Sequence, residues 1–167
     1  MKSGLSELFI SAKKSEVENK KFFSRLKKKN PKYLDTTVIN IHEEVFQNIN
    51  CLECANCCKN ISPIITDKDI ERISRFLKLR PAVLTEKYLH IDEDGDYVFN
   101  NTPCPFLNED NYCKIYDVRP KACSEYPHTS QPGFIKRFDL TIKNSLYCPA
   151  VYEIIERIKI EMESILK

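Results

Sequence analysis

The stretch CLECANCCKN, residues 51–60, decides the fold because it places four cysteines within eight positions. Thiolates are soft ligands, and a metal ion that replaces their protons stabilises sulfurs that would otherwise repel one another. Four further cysteines follow downstream, namely Cys104, Cys113, Cys123 and Cys148. The sequence therefore predicts a fold organised around one or two metal centres.

Length and composition set the class of protein. A chain of 167 residues suits one domain with a real core, and its 42% hydrophobic and 30% charged residues are ordinary for a soluble globular protein. No apolar run approaches the roughly 20 residues that a membrane span requires. Charges interrupt the first twenty residues before a signal-peptide core can form. We therefore expect a cytoplasmic protein that does not enter a membrane.

The expected cytoplasmic location changes how the cysteines are interpreted. Thiols are kept reduced there, so clustered cysteines are more often metal ligands or catalytic groups than disulfides. The neighbouring residues Cys57 and Cys58 cannot readily bond to each other. We therefore predict that the cysteines bind metal and do not form disulfides.

The first fifty residues lack cysteine and are predicted to be helical, with a break at Asn30-Pro31 and with Asp35 or Thr36 capping the second helix. Residues 19–32 carry seven positive charges and no acid. Such a segment could contact nucleic acid or an anionic surface. Because the whole chain carries only +2, we predict a solvated helix face and no nucleic-acid partner.

Patterning after the cysteine cluster predicts both helices and short strands. Thr66 and Asp69 resemble a capping box at the start of a helix, and Pro81 suits the first turn of another. Alternation around Asp94-Gly95 predicts a hairpin. Residues 133–142 are predicted to form one more strand, and residues after Cys148-Pro149 an amphipathic helix.

These elements predict an α+β fold, in which a small loop-rich, metal-centred domain has short strands flanked by helices. We expect three segments along the chain. Residues 1–50 form a basic helical extension, residues 51–150 the cysteine-cluster domain, and residues 151–167 a C-terminal amphipathic helix that packs on it.

The spacing of the thiols leaves the identity of the metal open. Cys51 and Cys54 form one half of a zinc site, whereas the run C-x-x-C-x-x-C that ends at Cys57 is typical of three corners of a 4Fe–4S cluster. Cys104-Pro105 and Cys148-Pro149 both suit the remote fourth ligand. We favour an iron–sulfur cluster and keep zinc as the alternative.

Four other side chains, one cysteine and the three histidines, are interpreted separately. Cys58 is expected to point away from Cys57, where it serves a second centre, faces a substrate or is simply buried. His42 and His90 are interpreted as structural residues, while His128 is weighed as a ligand because it follows Cys123 by five positions.

Several motifs in order resemble the CxxCxxCC cysteine-cluster family, also called the YkgJ family, over residues 51–150. They are Cys51-x-x-Cys54-x-x-Cys57-Cys58, Pro103-Cys104-Pro105-Phe106-Leu107, Cys113-x-Ile115-Tyr116-x-x-Arg119-Pro120-x-x-Cys123 and Tyr126-Pro127. The resemblance implies zinc or iron chelation and makes metal-ligand candidates of Cys51, Cys54, Cys57, Cys58, Cys104, Cys113, Cys123 and Cys148. A similar cluster occurs in the longer flagellin lysine N-methylases. Methylation is not implied, since no glycine-rich nucleotide loop follows a strand.

Two classes of function follow. The first is a metal-chelating protein with a structural or sensory centre, with or without a partner protein. The alternative is an iron–sulfur enzyme, either an oxidoreductase or one similar to protein-lysine N-methylases. Under both, the Arg119 guanidinium is expected to bond loop carbonyls or a carboxylate, or to offset the charge of the sulfurs.

Overall fold

A computed structural model describes residues 2–166 of the chain, with the side chains of residue 7 and residues 9–166. This part of the chain forms a helix-rich α+β fold, as the sequence predicts. Its α-helices are α1 (Lys2–Lys29), α2 (Leu34–Phe46), α3 (Cys51–Cys54), α4 (Asn56–Asn60), α5 (Asp67–Leu77), α6 (Pro81–Tyr88), α7 (Lys121–Glu125), α8 (Phe138–Ser145) and α9 (Pro149–Leu166). One antiparallel sheet pairs β1 (Leu89–Ile91) with β2 (Tyr97–Phe99). Residues 1 and 167, the ends of the predicted segments, lie outside the described residues.

The chain divides into two compact units. One combines Met1–Asn50 with Pro127–Lys167, and the other is the continuous segment Cys51–Tyr126. The second unit contains seven of the eight cysteines, while Cys148 belongs to the first. The three-segment organisation, residues 1–50, 51–150 and 151–167, stays a prediction.

The first unit, the helical unit, is built from α1, α2, α8 and α9. The last helix buries the side chains on the predicted stripe, and all of them except Ile165 are fully shielded from solvent: Val151, Ile154, Ile155, Ile158 and Met162. A cluster of three aromatic rings forms another part of this core, with Phe23 stacked on Phe138 at 4.5 Å between ring centroids and Phe134 edge-on to both. The break at Asn30-Pro31 is confirmed, because α1 ends at Lys29 and α2 begins at Leu34.

Two predictions in the helical unit are wrong. Residues 133–142 do not form a strand: a 3₁₀-helix, Phe134–Arg137, leads directly into α8. Tyr33, rather than Asp35 or Thr36, precedes the first turn of α2. The Asp35 carboxylate does not cap α2 and instead accepts the backbone N–H groups of Gly133, at 2.6 Å, and Phe134, at 2.9 Å. These bonds fix the start of the helical segment, whose apolar residues then repeat at helical spacing.

The second unit, here called the cysteine unit, contains the helix starts and the hairpin that its sequence predicts. Thr66 and Asp69 form the predicted capping box of α5, Pro81 occupies the first turn of α6, and the strands meet in a hairpin with Gly95 at a φ of 87°. The core is one cluster of buried side chains: Ile65, Ile70, Ile73, Leu84, Leu89, Phe99, Phe106 and Ile115. Cys104 and Cys113 pack against this cluster, which therefore positions two of the thiols.

Among the helices of residues 2–166, none combines the length and the apolar character that would let it cross a bilayer.

Candidate metal centre

The run CLECANCC folds as two short helices joined at a bend. Ala55 lies between α3 and α4 with a left-handed φ of 46°, and its side chain is buried. Its N–H donates to the Cys51 carbonyl at 2.8 Å, and its own carbonyl accepts from Lys59 at 3.1 Å. The bend separates α3 from α4 and distributes the four cysteines over two short helices, two on each.

The two neighbouring cysteines face each other more closely than expected. The Sγ atoms of Cys57 and Cys58 lie 3.9 Å apart, within the range of a sulfur hydrogen bond. The prediction that Cys58 points away from Cys57 is therefore wrong. The hydrogen bond from Cys57 lowers the pKa of Cys58 to about 7, although burial opposes the shift.

Backbone pairing brings two distant cysteines to α4. The Cys104 N–H donates to the Cys58 carbonyl at 2.8 Å. An antiparallel bridge joins Leu107 to Cys113, and the Lys114 N–H donates to the Phe106 carbonyl at 2.8 Å. These bonds fold residues 104–114 back on themselves, so that Cys113 returns close to Cys104.

Four thiols form one electrostatic group, here called the thiol quartet: Cys58, Cys104, Cys113 and Cys123. Charge on Cys58 acts on each of the other three, and those three also act on one another, so that all six pairs interact. Burial, reinforced by these like charges, raises the pKa of Cys104 to about 11 and that of Cys123 to about 12. Burial also raises the pKa of Cys113. Apart from Cys58, the quartet therefore carries its protons at neutral pH.

Cys51 lies next to this group: neighbouring protein atoms partly desolvate its thiol, and the charges of Cys54 and Cys58 add to this effect in raising its pKa. Its own side chain is exposed, while those of Cys54 and Cys57 are half-buried. These three cysteines thus form a second set of thiols at the edge of the quartet. Within residues 2–166, which include all eight cysteines, no disulfide bond is formed.

Arg119 bonds a loop carbonyl and offsets charge on nearby sulfurs, two of the roles expected for it. Its guanidinium stacks on the Tyr116 ring at 4.0 Å and donates to the Tyr116 carbonyl at 2.8 Å. Its positive charge also lowers the pKa values of Cys113 and Cys123, against the larger effect of burial. The guanidinium thus orders its loop and partly offsets the charge that these sulfurs acquire on losing a proton.

The segment that carries Cys123 is held by a contact that the sequence analysis missed. The buried Asp69 carboxylate, already part of the capping box, also accepts the Lys121 N–H at 3.0 Å and pairs with Arg72. Arg72 in turn donates to the Arg119 carbonyl at 2.8 Å. The sequence did contain one indication of this contact: Arg72 follows the capping residue Asp69 by three positions on the same helix. This contact ties α5 to the loop just before Cys123.

The donor chemistry of the quartet fits the two metals that the sequence predicts. Four thiols from three chain segments match the Cys₄ sets of structural zinc sites and of 4Fe–4S clusters. Among the described residues, no three Cys, His, Asp or Glu side chains converge closely enough to hold a metal ion as they stand. His42 and Cys148 belong to the helical unit, where the His42 Nδ1 atom bonds the Thr129 hydroxyl at 2.7 Å and its ring packs on Phe46.

Comparison with known proteins agrees with this chemistry. The family model CxxCxxCC, described as "Putative zinc- or iron-chelating domain", matches residues 50–149, about three fifths of the chain. The chain belongs to the CxxCxxCC family. The matched range contains all eight cysteines, so the family assignment supports a metal-chelating domain that takes zinc or iron. No solved structure matches the chain.

Proposed function

We propose that this CxxCxxCC protein holds an iron–sulfur cluster through the thiol quartet, with Cys58, Cys104, Cys113 and Cys123 as the four ligands. The observation that carries the proposal is geometric: the Cys104 N–H bonds the Cys58 carbonyl, and the pairing of Leu107 with Cys113 returns Cys113 to the same place. The charge on Cys123 acts on the same thiols and adds the fourth member. Four thiolates that feel one another's charge are unfavourable without a cation, and a bound metal reverses that penalty. Burial of Cys104 and Cys123 strengthens the same reasoning, because an unpaired thiolate there is poorly solvated.

Two features support an iron–sulfur cluster. The cysteine unit holds three thiols beyond the quartet, Cys51, Cys54 and Cys57, and their C-x-x-C-x-x-C spacing is typical of cluster ligation, which we assign to a second centre beside the quartet. A bound cluster would supply one-electron transfer. The chain itself supplies the counter-charge of Arg119 and the apolar packing behind Cys104 and Cys113, both of which tune a metal centre.

Zinc is the second candidate, and the same quartet supports it, since four thiolates complete a tetrahedral structural site. Either metal requires reduced thiols. We therefore place the protein in the cytoplasm, with Cys51, Cys54 and Cys57 as ligands of a second centre. Catalysis is not needed for this role, and a metal-centred fold of the cysteine unit is sufficient.

The first experiment measures iron, zinc and inorganic sulfide per chain, together with the visible absorption spectrum, after purification without oxygen. Iron with sulfide and a broad brown absorption supports the cluster. A colourless protein that contains zinc supports the second candidate, and a chain that takes up neither metal refutes chelation.

The ligand set is tested by substitution. Cys123→Ser is expected to lose most of the metal bound by the quartet, whereas the matched variant Cys148→Ser is expected to retain it, because the quartet already supplies four thiolates. Metal loss in Cys148→Ser, or full retention in Cys123→Ser, would show that the quartet is not the ligand set. Thermal unfolding of the metal-free variants separates lost ligation from lost folding.

A further inference from the structure

The cysteine unit contains a cationic pocket that the metal proposal does not fill, although one of its residues, Arg119, also offsets the charge of the sulfurs. Its volume is about 380 Å³, at the small end of the range for ligand pockets, roughly 300–1,000 Å³. The start of α5 forms one wall, and residues 117–124, which include Cys123, form the other. Four cationic side chains line these walls, two on each: Lys68, Arg72, Arg119 and Lys121.

Both guanidinium groups are fixed before any ligand arrives. One terminal nitrogen of Arg72 is held by the Asp69 carboxylate and by the Arg119 carbonyl, and among the described residues its other N–H groups have no hydrogen-bond partner. Arg119 is held by its stacking on Tyr116 and its bond to the Tyr116 carbonyl. Because these groups lose little conformational freedom when a ligand binds, they form a preorganised pair of donors.

The charge of the pocket favours a dianion. Asp69 and Asp117 also line it, so that four cationic and two acidic side chains leave a net charge of +2 among the lining residues, while Glu125, outside the lining, lies 3.6 Å from the Lys121 ammonium. The Asp69 charge is already engaged by Arg72 and by the N–H groups of Thr66 and Lys121. Asp117 is exposed, and its carboxylate is the one acidic group in the pocket that would repel an anion.

We propose that this pocket binds the phosphate group of a small organic phosphate monoester. A phosphate monoester carries a charge of about −1.5 to −2 at pH 7, which matches the net charge of the pocket, and guanidinium groups bind phosphate oxygens with two parallel hydrogen bonds. A single carboxylate would leave half of the positive charge uncompensated. The remaining volume accommodates the organic part of the ligand, next to the segment that carries Cys123.

The test is isothermal titration calorimetry of the full chain with glycerol phosphate at low ionic strength, where surface charges are least screened. One-to-one saturable binding is expected. Lys68→Gln and Arg119→Gln should each weaken it about tenfold, the effect of one lost charge-assisted hydrogen bond. Asp117→Asn should tighten it about two- to fivefold, since it removes the opposing charge.

Matched controls come from the same unit. Lys114→Gln and Arg75→Gln remove the same charges from exposed positions outside the pocket, and both should bind glycerol phosphate as the unaltered chain does. Equal weakening in pocket and control variants would mean unspecific attraction and would overturn the proposal. So would tighter binding of succinate, equal binding of inorganic phosphate, or binding of an RNA oligonucleotide alone. Because heat is measured here and not metal content, failure of the metal proposal leaves this test unaffected.

Discussion

Replacing Asp69 by alanine tests how strongly the cysteine unit depends on one buried carboxylate. The side chain is 1% exposed, and its oxygens accept the Thr66 N–H at 3.0 Å, the Thr66 hydroxyl at 2.6 Å and the Lys121 N–H at 3.0 Å, while Arg72 forms an ion pair with it. The substitution removes all of these interactions together. It therefore removes the side-chain half of the capping box of α5 and releases the start of α7, which carries Cys123, in a single step.

The expected loss can be added up from its parts. Loss of the capping box costs about 1 kcal/mol, and loss of the Lys121 hydrogen bond about another 1 kcal/mol. The Arg72 pair adds less than about 1 kcal/mol, because the Arg72 side chain is 40% exposed and water screens it. The free energy of unfolding should thus fall by about 2–3 kcal/mol, which lowers the melting temperature by about 4–12 °C in a chain of this size.

The assay is urea unfolding of the protein as purified, with equal metal content in all variants, followed by far-UV circular dichroism. Asp67→Ala is the matched control, since it removes an exposed carboxylate from the same first turn and should cost less than about 1 kcal/mol. Equal losses in the two variants would refute the reasoning.

The pH dependence provides a second measurement. Burial raises the pKa of Asp69, but the bonds from Thr66, Arg72 and Lys121 outweigh it and hold the pKa below the usual 3.8. The contribution of a group whose pKa is lowered by folding is complete above its unfolded pKa and is lost as the pH falls through the folded pKa. The stability difference between the unaltered chain and Asp69→Ala should therefore persist at neutral pH and shrink as the pH falls below 3.8.

Two further predictions concern the metal centre and the helical core. Zinc added to the metal-free protein in weak buffer should release about three protons per ion at pH 8 and about four at pH 6. The difference arises because only Cys58, with its pKa of about 7, is already ionised at pH 8. Release of fewer than two protons per zinc ion would contradict ligation by the quartet. Asn19→Leu should raise the free energy of unfolding by about 1–2 kcal/mol, because this fully buried amide has no hydrogen-bond partner among the described residues. Asn144→Leu, which removes a buried donor to the Pro127 carbonyl, should lower it, and a gain there would contradict this account.

Elements that depend on neighbouring residues could be predicted from the sequence. The capping box at Thr66, the start of α6 at Pro81, the hairpin at Gly95 and the buried stripe of α9 all follow from local spacing. Residues 133–142 were predicted wrongly because a distant carboxylate, Asp35, fixes the start of that segment. The spacing of β-branched and aromatic residues there suits either a strand or a helix, so a tertiary contact makes the choice.

For the candidate metal centre, too, some features follow from the sequence and others depend on tertiary contacts. The choice of cysteines as candidate ligands follows from the sequence alone, since clustered thiols at this spacing indicate metal binding. The grouping of Cys58 with Cys104, Cys113 and Cys123 could not be predicted, because it depends on the Cys104 hydrogen bond to Cys58 and on the pairing of Leu107 with Cys113. Sequence spacing instead favoured the three cysteines of the local run, and it did not indicate that the capping Asp69 would also hold Lys121.

The division of the chain into a continuous and a discontinuous unit has a consequence for biosynthesis. Residues 51–126 are contiguous, whereas the helical unit needs residues from both ends of the chain. During translation, α1 and α2 emerge first but must wait for α8 and α9, the helices against which they pack. The cysteine unit is complete before either of those helices has been made. The order of synthesis therefore lets the cysteine unit form its own contacts before the core of the helical unit is complete.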